Sequence, residues 1–413
     1  MASHGSDPDA PSITRVDSPP DSTPGHFESE DGLNSAGSSA DKTSLWELAA
    51  LFLRLGATAF GGPAVHIAMM EEEVVVRRRW LKREEFLDFL GATNLIPGPN
   101  STEMAIHIGR VRRGVAGLTV AGVSFILPAA VLVACLAWGY VRYGGLPQVS
   151  ALLYGVKPVV IVVIAQGAWR LGRSAVKSAW LGALGLGAAL AFALGADALL
   201  TLAVAGGIGV VVHRARIKKA RGSGLLLLVP GTSAGATASL GWLFLMMLKI
   251  GATMFGGGYV LVAFLRSDLV LRLKWLTEQQ LLDGVAVGQV TPGPLFTTAT
   301  FIGYLIGRGG GAIVATIGIF LPAFVFVGLS GPLVPRLRRS ATAGAALDGI
   351  NVAALALMMV VSAQLARTAV VDWVTASIAL ISAVLLFRYR INSAWLVLGG
   401  AVLGGAMVAA RLS

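Results

Sequence analysis

The sequence predicts an all-α polytopic membrane protein built from two inverted-topology repeats of about five crossing helices each, with broken or re-entrant segments at two Pro-Gly-Pro motifs. Three observations lead there. The chain of 413 residues is 55% hydrophobic and 13% charged, with a mean hydropathy of +0.73, whereas ordinary soluble domains are roughly 25% charged. Several apolar runs approach or exceed the roughly 18 residues that cross a bilayer. One stretch also occurs twice: residues 56–65 read GATAFGGPAV and residues 251–260 read GATMFGGGYV, 195 positions later.

The register persists beyond that stretch. Glu73 falls on Asp268, Arg77 on Arg272, Arg79 on Lys274, Trp80-Leu81 on Trp275-Leu276, and Asp88 on Asp283. Pro97-Gly98-Pro99 falls on Pro292-Gly293-Pro294 and, after the loss of one residue, Leu127-Pro128 falls on Leu321-Pro322. A repeat of this length is a duplicated structural unit.

In chain order, residues 1–44 carry eight acidic residues against Arg15 and Lys42 and are rich in Ser, Pro and Gly. They cannot bury a core and are expected to be a disordered acidic tail, without the basic start and apolar stretch of a signal peptide. The first repeat, 45–212, has apolar spans at 45–70, 115–139, 150–169, 178–195 and 197–212, with a Gly/Pro-interrupted piece at 86–108. A basic, Gly/Ser-containing connector follows at 213–238. The second repeat, 239–413, has spans at 239–264, 311–331, 345–366, 369–387 and 393–411, with its interrupted piece at 281–304.

Loop charges set the orientation. Five Lys/Arg lie at 77–83, three at 110–113, three at 170–177 and five at 214–221, which the positive-inside tendency assigns to the cytoplasm. In the second half the bias reverses, with Arg336, Arg338, Arg339, Arg388 and Arg390 on the loops whose first-half counterparts are poor in bases. The two halves are therefore expected upside down relative to each other in the inner (cytoplasmic) membrane. A tail on the outside follows from this scheme unless segment 45–70 bends back at Phe60-Gly61-Gly62-Pro63. The same distribution accounts for the net charge of +11 through the lipid bilayer, with no nucleic-acid partner. The single Cys135 excludes an intramolecular disulfide and a multi-cysteine metal site, and no cofactor or metal is expected. The chain has no HExxH, no GxSxG and no paired intramembrane Asp, which argues against an enzyme. Inverted repeats broken at matching positions instead point to a secondary transporter with its site at the breaks.

With both GATxFGG stretches and both PGP stretches placed, residues 45–411 or so resemble the chromate ion transporter (CHR) family in its fused two-domain form. The combination carries the resemblance: F-G-G, a charged stretch ending in Trp-Leu, then P-G-P, twice at constant spacing. It implies export of chromate from the cytoplasm, with sulfate as a related oxyanion, driven by the membrane potential or a coupling proton, and hence chromate resistance. A proton-coupled exporter or a channel for another small inorganic anion such as sulfate is the alternative. A homodimer is an admissible assembly.

Chromate and sulfate are tetrahedral dianions, and helix N-termini offer them unpaired N–H groups and the positive end of a dipole. The first PGP is framed by Asn94, Asn100, Ser101 and Thr102 around Gly98, the second by Gln289, Thr297 and Thr298 around Gly293. Two re-entrant elements meeting near the midplane, with these helix starts facing one anion, is the functional expectation; prolines that merely kink structural helices is the plain one. Gly61-Gly62 and Gly256-Gly257 either unwind a helix to expose N–H groups or let helices pack closely. Arg54 and Lys249, two residues before each GATxFGG, either attract the dianion or snorkel to the interface. Glu103 and His107 lie one turn apart and have no second-half counterparts. Glu103 is thus the expected proton carrier, with His107 as partner, a structural pairing with Arg110 or Arg54 being the alternative. Lys157 corresponds to Asn351, near Asp348, and a Lys157–Asp348 bridge between the halves is expected.

Overall fold

The first repeat folds as α1 (Leu45–Thr58), α2 (Pro63–Glu71) running into a π-helical turn (Glu72–Arg77), α3 (Arg83–Thr93), α4 (Asn100–Tyr143), α5 (Pro147–Ala175), α6 (Ala179–Ala193) and α7 (Ala198–Ile217). The second gives the same order: α8 (Leu240–Thr253), α9 (Val260–Leu265) with its π turn (Arg266–Arg272), α10 (Glu278–Val290), α11 (Thr298–Arg339), α12 (Ala341–Ala369), α13 (Trp373–Phe387) and α14 (Ser393–Leu412). This computed structural model describes residues 43–217, 239–255 and 258–412. The expected tail, most of the connector, and Gly256 and Gly257 lie outside the described residues. The duplication reaches the caps: Ser44 accepts a hydrogen bond from the Glu47 N–H at 3.0 Å and Ser239 from the Trp242 N–H at 3.2 Å, each supplying a partner for an unpaired helix-start donor.

Among the described residues, α4, α5, α7, α11 and α12 are long and apolar enough to cross a membrane, and α6, α8, α13 and α14 are shorter apolar helices. The first expected span of each half needs correction. Segment 45–70 is a bent-back pair: Arg54 pairs with Glu73 and, further from the bend, Glu47 with Arg78 at 2.8 Å. Segment 239–264 does the same, with Lys249 beside Asp268 at 3.0 Å and Met246 Sδ beside Arg272 at 3.2 Å. In both, one number falls as the other rises, so the chain returns along itself. Gly61 and Gly62 make the first bend at φ 112° and 84°, and Pro63 opens α2, a position where its missing N–H costs nothing.

The interrupted pieces return in the same way. Within α4 the helix reverses at Arg113 and Gly114 (φ 60°) and within α11 at Gly307 and Arg308 (φ 54°). The reversal sets Gly109 against Gly117 and Gly303 against Gly311. Arg112 hydrogen-bonds both Thr43 and the Trp80 carbonyl, so the start of α1, the end of the π turn and the α4 reversal share one end of the molecule.

The C-terminal hairpins are exchanged between halves: α6 and α7 pack on α12, and α13 and α14 pack on α5, while α4 packs on α11 and α5 on α12. Glycines set these crossings. A Cβ on Gly155 of α5 would lie 2.0 Å from the Gly400 carbonyl oxygen of α14, and one on Gly349 of α12 would lie 2.3 Å from the Ala205 oxygen of α7. Such backbone contact is the usual device for holding helices together where lipid removes the hydrophobic drive.

Candidate functional site

The two PGP loops form a reciprocal knot at the centre. The Gly98 N–H donates to the Met254 carbonyl at 2.9 Å and the Gly293 N–H to the Ala59 carbonyl at 3.0 Å. Each loop is thus tied to the bend of the other half. Gly98 faces Ala323 and Gly293 faces Ala129, each just after the Leu-Pro of the opposite repeat. These glycines were expected to let backbone approach an anion closely; here both N–H groups are used within the protein, and their missing Cβ lets helices approach. His66 joins the knot, with Nε2 3.1 Å from the Ala59 carbonyl and Nδ1 3.2 Å from the Ser101 hydroxyl. Sequence reading gave His66 no role; its counterpart is Leu261, and that asymmetry was the available signal.

Around the knot lie polar groups without partners. Thr102, Glu103 and Thr298 are fully or almost fully buried, and Thr102 Oγ1, both Glu103 carboxyl oxygens, Thr298 Oγ1 and His107 Nε2 have no hydrogen-bond partner among the described residues. Glu103 and Thr298 occupy equivalent positions of the two repeats. Neither structural partner considered for Glu103 reaches it: Arg110 bonds the Val327 carbonyl and Ser330 of α11, and Arg54 holds Glu73. His107 stacks on Phe89 at 5.3 Å. Thr297 bonds back to the Pro294 carbonyl at 2.9 Å, and Asn100 bonds the exposed Asn94 at 2.8 Å.

A cleft of about 880 Å³ opens beside this centre, at the end carrying the bases. Arg77 stands at its rim, Arg54, Arg170 and Arg390 line its walls, and Gly61, Tyr259 and Asn392 line it by the first bend. The Tyr259 hydroxyl lies 3.7 Å from where a Gly62 Cβ would sit, so Gly62 backs this region. Arg77 keeps its charge there, held above its usual range by its hydrogen bond to Glu72 and by the charges of Glu73 and Glu72. Arg54 and Arg77 both pair with Glu73. Arg170 and Arg390 have no ion pair among the described residues. Of the residues singled out in the sequence, Arg54 and Gly61 line the cleft; Asn94, Gly98, Asn100, Ser101, Thr102, Glu103, His107, Gly293, Thr297, Thr298 and Lys249 do not.

Two expected charge roles change. Lys249 was expected either to attract the dianion or to snorkel to the interface; it is tied to Asp268, which also holds Arg272 at 3.0 Å, the mirror of Arg54–Glu73–Arg77. The Lys157–Asp348 bridge does not form. Lys157 lies 3.1 Å from Asp283, and Asp348 lies 2.7 Å from Lys177. The reason is helix direction: early α12 lies beside late α5, so Asp348 meets Lys177, whereas Lys157 sits at the level where α10 docks. Tyr140 adds a hydrogen bond to Asp283 at 2.9 Å.

A duplicated, multi-pass helical membrane protein with a knot of broken helices and an arginine-lined cleft is the class that the fold defines. The chromate transporter model matches residues 46–210 and again 241–405, and the chain belongs to that family, whose members are transporters and not enzymes. A chromate transport protein of Cupriavidus metallidurans is 34% identical over 88% of this chain and 92% of its own. A probable chromate transport protein of Synechococcus elongatus is 31% identical over 82% and 89%. An uncharacterised transporter of Methanocaldococcus jannaschii is 28% identical over 86% and 92%. No solved structure matches the chain.

Proposed function

We propose that the protein exports a tetrahedral oxyanion, chromate and by the same chemistry sulfate, across the inner membrane, loading it from the cytoplasm through the arginine-lined cleft. The observation that carries this is the pair of guanidiniums, Arg170 and Arg390, without acidic partners among the described residues, in a cleft that reaches the Gly61-Gly62 bend at the start of α2. Guanidinium forks suit oxyanions, and a helix start adds N–H donors and a favourable dipole. The cleft's end carries residues 77–83, 110–113 and 170–177, whose bases favour the cytoplasmic side. With 45–70 bent back, Thr43 shares that end.

Inverted halves are supported by two cross-contacts. Arg110, before the α4 reversal, meets Val327 late in α11, and Tyr140, late in α4, meets Asp283 early in α10. That pattern fits α4 and α11 running in opposite senses.

Glu103 is the proposed proton carrier. An ionised carboxylate with no partner at a fully buried position is expensive, so a proton has to come and go with exposure of this layer. Chromate uptake by inside-out vesicles is the test. Accumulation above empty vesicles, reduced by Arg170→Ala and by Arg390→Ala, supports the reading; equal uptake by protein-containing and empty vesicles removes it.

A further inference from the structure

One difference between the two repeats defines a gate. In the second half, Arg266 at the end of α9 bonds Gln364 of α12 and pairs with Glu278 of α10, while Glu278 accepts from Thr368 of α12 at 3.2 Å. The Arg266 side chain is 9% exposed and lies between the bent-back pair and α12. The equivalent first-half residues are Glu71, Arg83, Arg170 and Ser174, at offsets of 195 for the first two and 194 for the others. The ion pair recurs with its signs exchanged, Arg83 to Glu71 at 3.5 Å, but Arg83 is 75% exposed. The pair is not docked on α5, and Arg170 faces the cleft instead.

The helices carrying these groups show the same contrast. In α10 residues 281–286 are all buried, and Leu282 is 0% exposed. In α3 the equivalent Leu87 is 49% exposed and Asp88, the counterpart of the buried Asp283, is exposed. One end of the molecule is sealed and the other open, in a framework whose helices follow the same order in both halves. Two copies of one unit that run in opposite senses exchange states when each adopts the other's arrangement.

We propose that the opposite state seals the basic-end cleft by bringing Glu71 onto Arg170, the mirror of Arg266 on Gln364, while the Arg266–Gln364 contact opens. Arg170 then has two partners in turn: the oxyanion when the cleft is open, as in the function proposed above, and Glu71 when it is shut. Charge reversal between the halves gives the two seals different strengths. The basic-end seal is a carboxylate–guanidinium pair, and the far seal pairs a guanidinium with a neutral amide.

The test uses the full chain in lipid vesicles, with Cys135→Ser so that only introduced thiols react. Glu71→Cys with Arg170→Cys, and separately Arg266→Cys with Gln364→Cys, are treated with a short bis-maleimide. Each pair is expected to cross-link, and joining one pair is expected to prevent cross-linking of the other in the four-cysteine variant. Cross-linking of 266 to 364 with none of 71 to 170 overturns the gate, as does simultaneous cross-linking of both pairs in one molecule. This readout needs no substrate, so it is independent of whether chromate is carried. For charge reversal, Glu71→Arg alone is expected to lower anion uptake about tenfold, a change of about 1.4 kcal/mol, and Glu71→Arg with Arg170→Glu to recover the closed state by cross-link protection of thiols placed in the cleft. Failure of the double reversal to restore that protection overturns the pairing.

Discussion

Replacing Lys157 by methionine leaves Asp283 as a buried carboxylate, and the structure sets the size of the effect. The ammonium and carboxylate are 3.1 Å apart, with side chains 8% and 2% exposed. At an effective dielectric of about 20, two unit charges at that distance attract by about 5 kcal/mol, and removing one member of a buried pair costs about 3–5 kcal/mol. The Tyr140 hydroxyl still serves Asp283, which places Lys157→Met near the lower bound. The pair also joins α5 of one half to α10 of the other, so its loss loosens the sealed end. Lys157→Met with Asp283→Leu and Tyr140→Phe leaves neither a charge nor a hydroxyl unpaired. It is expected to return to within about 1 kcal/mol of the parent, because apolar replacement of a buried pair is often neutral. Thermal unfolding of detergent-purified protein checks both: a clear drop in Tm for Lys157→Met and recovery in the triple variant. An unchanged Tm in the single variant, or a triple variant as unstable as the single, refutes the reasoning.

Three further outcomes are expected. Arg308 holds φ 54° at the reversal where the first half has Gly114 at φ 60°, so Arg308→Gly is expected to raise stability by about 1 kcal/mol, read as a higher Tm. Gly155→Leu drives a side chain into the Gly400 backbone, where even a Cβ lies 2.0 Å from the carbonyl oxygen; it is expected to destabilise by at least about 1–3 kcal/mol and to show as loss of folded protein on size-exclusion chromatography. Glu103→Gln, which keeps the side-chain shape in its buried site against Gly98, is expected to abolish accumulation driven by an imposed proton gradient while leaving Tm within about 1 kcal/mol of the parent.

The duplication was legible because Gly, Pro and Trp at fixed spacing leave little room for accident, and the structure repeats it down to the Ser44 and Ser239 caps. The bend at Gly61-Gly62 was visible only as an option. An apolar run of span length fits either a crossing or a return, and what decides is tertiary, the pairing of Arg54 with Glu73 and Glu47 with Arg78. Lys157 was read as a cross-half ion-pair partner, and it is one, but Asp348 was chosen by sequence register where helix direction selects Asp283. The knot's use of the Gly98 and Gly293 N–H groups was hidden for the same reason, since their acceptors, Met254 and Ala59, belong to the other repeat. Arg170 and Arg390 read only as loop charges. Their convergence on one cleft is tertiary, set where the bent-back α1–α2 pair meets the end of α5 and the turn after α13.

The most direct measurement is chromate and sulfate flux in inside-out vesicles, with and without a proton gradient at clamped potential, for the parent chain and Arg170→Ala. Proton-coupled export through the cleft requires accumulation of the oxyanion by the parent, loss of that accumulation when the gradient is dissipated, and a raised half-saturating anion concentration in Arg170→Ala. Uptake that follows the potential alone, with an unchanged concentration dependence in Arg170→Ala, contradicts both the coupling and the cleft.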